Sequence, residues 1–124
     1  MSLCLIAGAV SATLAIQSFT LAWMHSIEKV RWEEDWRIAG HQLQIVAARV
    51  KGSGAGMEPP PDAVLRHGAW HYRPVRPAMD RLVLAHSPYT SGYELCAEGV
   101  CRALAGFLPG IETLGIIELS PCER

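Results

Sequence analysis

The chain has 124 residues, room for one domain spanning 1–124 and too little for two. Eleven Lys and Arg against twelve Asp and Glu leave a formal charge of −1, so no polybasic surface for nucleic acid is expected. Half of the residues are hydrophobic and 19% are charged, which excludes a disordered tail. Four cysteines without a CxxC pair exclude a disulfide-dense scaffold and a zinc ribbon, and neither a metal nor another cofactor is expected.

The first charged side chain is Glu28. The apolar run ahead of it has the length of a membrane helix, and Val10-Ser11-Ala12 has the small residues of a signal-peptidase site. Against both, no Lys or Arg precedes the run, and its second half alternates. Phe19, Leu21, Trp23 and His25 share one parity, while Ser18, Thr20, Ala22, Met24 and Ser26 share the other. Period two predicts strands over 2–8 and 10–26, broken near Gly8 to Ser11, rather than a leader or an anchor. A cytoplasmic location is favoured on that ground, with a periplasmic or membrane-associated one as the alternative.

Residues 29–38 carry the clearest pattern. Val30, Trp32, Glu34, Trp36 and Ile38 fall on one parity, and Lys29, Arg31, Glu33, Asp35 and Arg37 on the other. A strand with one wet and one buried face reads this way. A two-residue turn at Ala39-Gly40 would pair Trp36 with Leu43, Glu34 with Ile45 and Trp32 with Ala47. A connection within Ser26 to Lys29 would pair Trp23 with Trp32 and Phe19 with Trp36. Apolar meets apolar in each case but one, and a one-residue slip would destroy the match.

Two more hairpins follow, at His67-Gly68 with Leu65 opposite Trp70, and at Glu98-Gly99 with Tyr93 opposite Leu104. Short strands are expected over Leu82–His86 and Thr113–Leu119. Gly52-Ser53-Gly54-Ala55-Gly56 and Pro59-Pro60-Pro61 interrupt any helix or central strand. The predicted fold is all-β, an antiparallel sandwich or partly open barrel built from hairpins.

Few residues combine into chemistry. Glu34, set on the aromatic face, is costly there unless paired or protonated, so it is either a ligand anchor near His25 or Lys29 or a structural ion-pair partner. His25-Ser26-Ile27-Glu28-Lys29 concentrates polar groups, yet adjacent strand residues face opposite ways, so His25 does not readily activate Ser26. Gly52, Ser53, Gly54 and Gly56 offer backbone N–H groups to an anion without the Gly-Lys-Ser/Thr ending of a P-loop. His67 and His71 lie on opposite arms of a hairpin, which argues against a shared metal. Cys96 and Cys101 are directly opposed across the Glu98-Gly99 turn in a non-hydrogen-bonded pair, within reach of a disulfide in an oxidising compartment and expected as two reduced thiols in a cytosol. Cys4 and Cys122 become neighbours if the two termini meet in a closed sandwich.

The segments His25-Ser26-Ile27-Glu28-Lys29, Trp32-Glu33-Glu34, Gly52-Ser53-Gly54-Ala55-Gly56-Met57 and Ser87-Pro88-Tyr89 resemble an uncharacterised bacterial domain-of-unknown-function family. The resemblance covers most of residues 17–104. Its members are small proteins often encoded beside TRAP-type transporters of the TAXI subclass, and the longer ones begin with a clearer hydrophobic segment. It implies an accessory role in organic-anion transport, with TAXI-type TRAP components or a small organic anion as partner, and no biochemical activity comes with it. His25, Ser26, Glu28, Lys29, Glu34, Gly52, Ser53, Gly54 and Gly56 are the expected ligand-binding residues. Two alternatives stand beside this: a small hydrolase using His25 with Ser26 or a cysteine, and an assembly module that uses a sheet edge.

Overall fold

The computed structural model describes residues 1–24, 30–51, 60–86, 92–110 and 115–123. The architecture is all-β, with two antiparallel sheets. One has four strands in the order β2 (Val10–Leu14), β1 (Ser2–Ala7), β11 (Gly115–Cys122), β8 (Leu82–His86). The other has seven, in the order β10 (Val100–Ala103), β9 (Tyr93–Ala97), β3 (Ser18–Met24), β4 (Arg31–Ala39), β5 (Gln42–Lys51), β7 (Ala69–Tyr72), β6 (Val64–Arg66). The sheets stack face to face with free edge strands and do not close into a barrel.

The N-terminal apolar run is strand, and it serves both sheets. Val10–Leu14 turns back on β1, whereas β3 joins the larger sheet after a break at Ala15–Gln17. The expected single strand over 10–26 is therefore two strands, because Leu14 and Phe19 pack into one core from opposite sides. Leu3, Leu5, Ile117 and Leu119 of the small sheet meet Phe19, Leu21, Trp36, Leu43, Ile45 and Leu95 of the large one. Burying each of these side chains contributes roughly 1.5–3 kcal/mol.

The β3–β4 pairing follows the alternation, with Phe19 opposite Trp36 and Trp23 opposite Trp32. The β4–β5 pairing departs from expectation in two ways. The turn is Gly40-His41, closed by Ala39 opposite Gln42, so Trp36 faces Ile45 instead of Leu43. The first position of a two-residue hairpin turn needs positive φ, which Gly40 supplies at +65° and Ala39 would resist. The register then shifts between Asp35 and Trp36, leaving Val46 as the extra residue of a β-bulge. Beyond it Glu34 faces Ala48, not Ile45, and Trp32 faces Val50, not Ala47. The bulge lets Leu43 and Ile45, then Ala48 and Val50, all point inward although the two pairs differ in parity.

The other hairpins sit where turn chemistry puts them. His67-Gly68 and Glu98-Gly99 both have positive φ, as a type I′ turn requires, and Leu65 faces Trp70. Tyr93 does not face Leu104, because pairing ends at Ala103 opposite Glu94 and the chain enters a 3-10 turn over Leu104–Phe107. Leu104, which opens that turn, and Leu108, just past its end, are both buried in the core.

Candidate functional site

The inward face of the large sheet is organised in rows set by the pairing register. Tyr93, Trp23, Trp32, Val50, Trp70 and Leu65 follow one another across six strands. The next row runs Leu95, Leu21, Glu34, Ala48, Tyr72. The core under the small sheet reaches Trp23 and Tyr93 at its margin, while Trp32, Trp70 and Tyr72 extend the face past it, half-buried. Trp23 stacks on Trp32 with ring centroids 6.2 Å apart and meets Tyr93 at 5.6 Å. Such aromatic pairs each add about 0.5–1.5 kcal/mol beyond their burial. The buried indole N–H of Trp32 has no hydrogen-bond partner among the described residues.

Glu34 sits inside this aromatic frame and is paired. Arg76 donates from Nη2 to Oε2 at 2.7 Å, and the Trp36 indole N–H donates to Oε1 at 3.2 Å. The Arg76 guanidinium also lies 5.7 Å from the Trp36 ring centroid. Burial, and then the charge of Glu34, raises the phenols of Tyr72 and Tyr93 above the usual tyrosine value. Arg76 was not legible as the partner, since Arg73-Pro74-Val75-Arg76-Pro77 has no strand register from which to read one. His25, Ser26, Glu28 and Lys29, and Gly52, Ser53, Gly54 and Gly56, lie outside the described residues. The strand ends from which their segments depart, Met24 and Lys51, border the aromatic row.

The opposite face carries an ionic ladder. Arg31 binds Glu33 and Glu94, each at 2.8 Å, and Arg49 binds Glu33 at 2.9 Å and Asp35 at 2.7 Å. Thr20 donates to Asp35 at 2.7 Å, and Ala22 in the middle of this face is fully buried. Burial pushes the Glu33 carboxyl up, but hydrogen bonds from Arg31 and Arg49 outweigh it and hold it below the usual range. The Arg49 hydrogen bond, against a smaller burial penalty, lowers Asp35 in the same way. Both carboxylates therefore stabilise the fold above the unfolded carboxyl range near pH 4, and this contribution is lost as pH falls through the lowered folded values. Arg49→Met should lower stability by about 1 kcal/mol at pH 7, since the pairs are only partly shielded. In thermal melts its deficit against the parent should narrow steadily between pH 5 and pH 2; a deficit constant with pH would count against the ladder.

Two clefts flank the β9–β10 hairpin. On the ladder side, a cleft of about 600 Å³ is lined by Ser18, Thr20, Asp35, Arg37, Cys96 and Cys101, among others. Between the sheets, at their open edges β2 and β10, a second of about 340 Å³ is lined by Leu14, Ile16, Leu95, Val100, Arg102 and Phe107, with Glu98 also at its wall. The Arg102 guanidinium lies 4.3 Å from the Phe107 ring centroid. This cleft was missed in the sequence because β2 and β10 are distant in the chain and meet only through stacking. All four cysteines are bridged, as Cys4–Cys122 and Cys96–Cys101, so no free thiol is present as a nucleophile. Among the described residues, no three His, Cys, Asp or Glu side chains gather to hold a metal.

Comparison with curated proteins and with solved structures finds no match for the chain. A family model does match, over residues 19–104, the stretch from Phe19 in β3 to Leu104 at the 3-10 turn that supplies most of the large sheet and all of the aromatic row. The chain thus belongs to the DUF1850 family, a domain of unknown function.

Proposed function

We propose that the protein is a non-enzymatic accessory domain that binds a small organic anion, in association with TRAP-type transport. The carrying observation is the inter-sheet cleft, apolar along Leu14, Ile16, Leu95 and Phe107, with the cation of Arg102 and the carboxylate of Glu98 both at its wall. Its volume of about 340 Å³ lies at the lower end of the range usual for small-ligand sites, roughly 300–1,000 Å³. Apolar walls beside one guanidinium suit a carboxylate with a short apolar body, the carboxylate meeting Arg102. The association with TAXI-type TRAP components rests on the sequence resemblance. Two disulfides support the periplasmic alternative over a cytoplasmic location, because such bridges persist in oxidising compartments.

The test is a thermal-shift screen of monocarboxylates of increasing chain length, dicarboxylates and keto acids. A ligand at 100 times its Kd adds about 2.7 kcal/mol. The parent chain should be stabilised by at least one short-chain carboxylate, and Arg102→Gln should lose that response. Glu34→Gln should keep the response while lowering basal stability by about 1 kcal/mol, because Arg76 loses its charged partner. No stabilisation by any member of the screen, or an equal response in Arg102→Gln, would overturn the site. The assembly-module alternative draws support from β10, an edge strand with all four residues exposed. Binding of transporter components that survives Arg102→Gln would favour it.

A further inference from the structure

The two bridges differ in what they do for the chain. Cys4–Cys122 spans 118 residues and joins β1 to β11, and both of its cysteines are half-buried. Cys96–Cys101 spans five residues and crosses a hairpin that its own backbone already closes, with Ala97 opposite Val100 and Leu95 opposite Arg102. β9 is also held on its other side by β3, through Leu21 opposite Leu95 and Trp23 opposite Tyr93. Opening the short bridge therefore leaves the pairing that shapes this region in place.

Access differs as well. Cys101 is exposed on the edge strand β10, and both sulfurs belong to residues lining the cleft of about 600 Å³ on the ladder face. The ionised side chains lining that cleft are Arg37, Glu98 and Asp35, the last paired with Arg49 at 2.7 Å. An exposed bridge that the fold does not need is of the labile, exchanging type, whereas one that closes most of the chain is structural.

We propose that Cys96–Cys101 is a thiol–disulfide exchange site whose substrate is a dithiol, while Cys4–Cys122 stays oxidised. One thiolate of the dithiol attacks Cys101 Sγ, forming a mixed disulfide and breaking the Cys101–Cys96 bond. The electron pair leaves on Cys96 as a thiolate, which takes up a proton. The second thiolate of the dithiol then attacks its own sulfur in the mixed disulfide and releases Cys101. The dithiol ends as a disulfide, oxidised by two electrons, and Cys96 and Cys101 end as thiols. This does not depend on ligand binding between the sheets.

The experiment equilibrates the intact chain with dithiothreitol at graded ratios of reduced to oxidised form, blocks free thiols with iodoacetamide and locates the label by mass spectrometry. Cys96 and Cys101 should become labelled at a ratio at least tenfold lower than Cys4 and Cys122, with the far-ultraviolet circular dichroism still that of the folded chain. Opening of both bridges together, or of Cys4–Cys122 first, would overturn the proposal. So would loss of the folded signal as Cys96–Cys101 opens. With glutathione, a monothiol, and iodoacetamide added to block the freed thiol before it re-forms the bridge, the adduct should map to Cys101; an adduct on Cys96 would overturn the assigned attack.

Discussion

The double variant Cys4→Ser/Cys122→Ser is expected to lose close to 5 kcal/mol of stability, against about 2 kcal/mol for Cys96→Ser/Cys101→Ser, on the chain-entropy account of cross-links. The difference comes from loop size: the first bridge closes a span of 118 residues, the second a span of five. The location of the long bridge adds to its weight. The small sheet pairs the first strand with the last, Leu3 opposite Pro121 and Leu5 opposite Leu119, so the core layer of Leu3, Leu5, Ile117 and Leu119 forms only when the two ends of the chain meet. Cys4 lies opposite Ser120, and its bridge to Cys122 ties the pairing diagonally near its end. Guanidinium unfolding of both oxidised variants beside the parent checks this. Equal losses in the two would mean that chain entropy is not what the long bridge contributes.

Trp36→Ala should cost about 3–5 kcal/mol, a large share of the roughly 5–15 kcal/mol that holds a small domain folded. Trp36 is only 2% exposed, is packed among Phe19, Ile45 and the small sheet, and lies under the Arg76 guanidinium. The truncation leaves a cavity and removes the hydrogen bond that the Trp36 indole donates to Glu34. Trp36→Phe keeps most of the apolar contact and deletes the indole N–H, so its cost should be about 1–2 kcal/mol. Urea midpoints for the two variants separate the contributions: similar losses would mean that the hydrogen bond outweighs the packing.

Much of the large sheet was legible beforehand. Trp32, Glu34 and Trp36 alternate with Arg31, Glu33, Asp35 and Arg37, and that period alone specifies a strand with one wet face. The Phe19–Trp36 and Trp23–Trp32 pairs followed because only one register matches apolar to apolar over a short connection. The bulge at Val46 leaves a trace, the change of parity between Leu43, Ile45 and Ala48, Val50, but a single-parity assumption hides it. The candidate site was less legible. Glu34 stands out from its neighbours, yet its partner Arg76 comes from a proline-bounded segment 42 residues on. The cleft beside Arg102 requires two edge strands, β2 and β10, that share no pairing.

Local order in this sequence determined the strands, the turns at His67-Gly68 and Glu98-Gly99, and the inward set of aromatics, because period two and turn dihedrals act between near neighbours. Only the tertiary structure decided which strands share a sheet, how β1 finds β11, which cation meets Glu34 and where a cleft opens between the sheets. Those outcomes depend on contacts between residues far apart in the chain, where many pairings bury similar apolar area and the choice among them is made by packing the whole core at once.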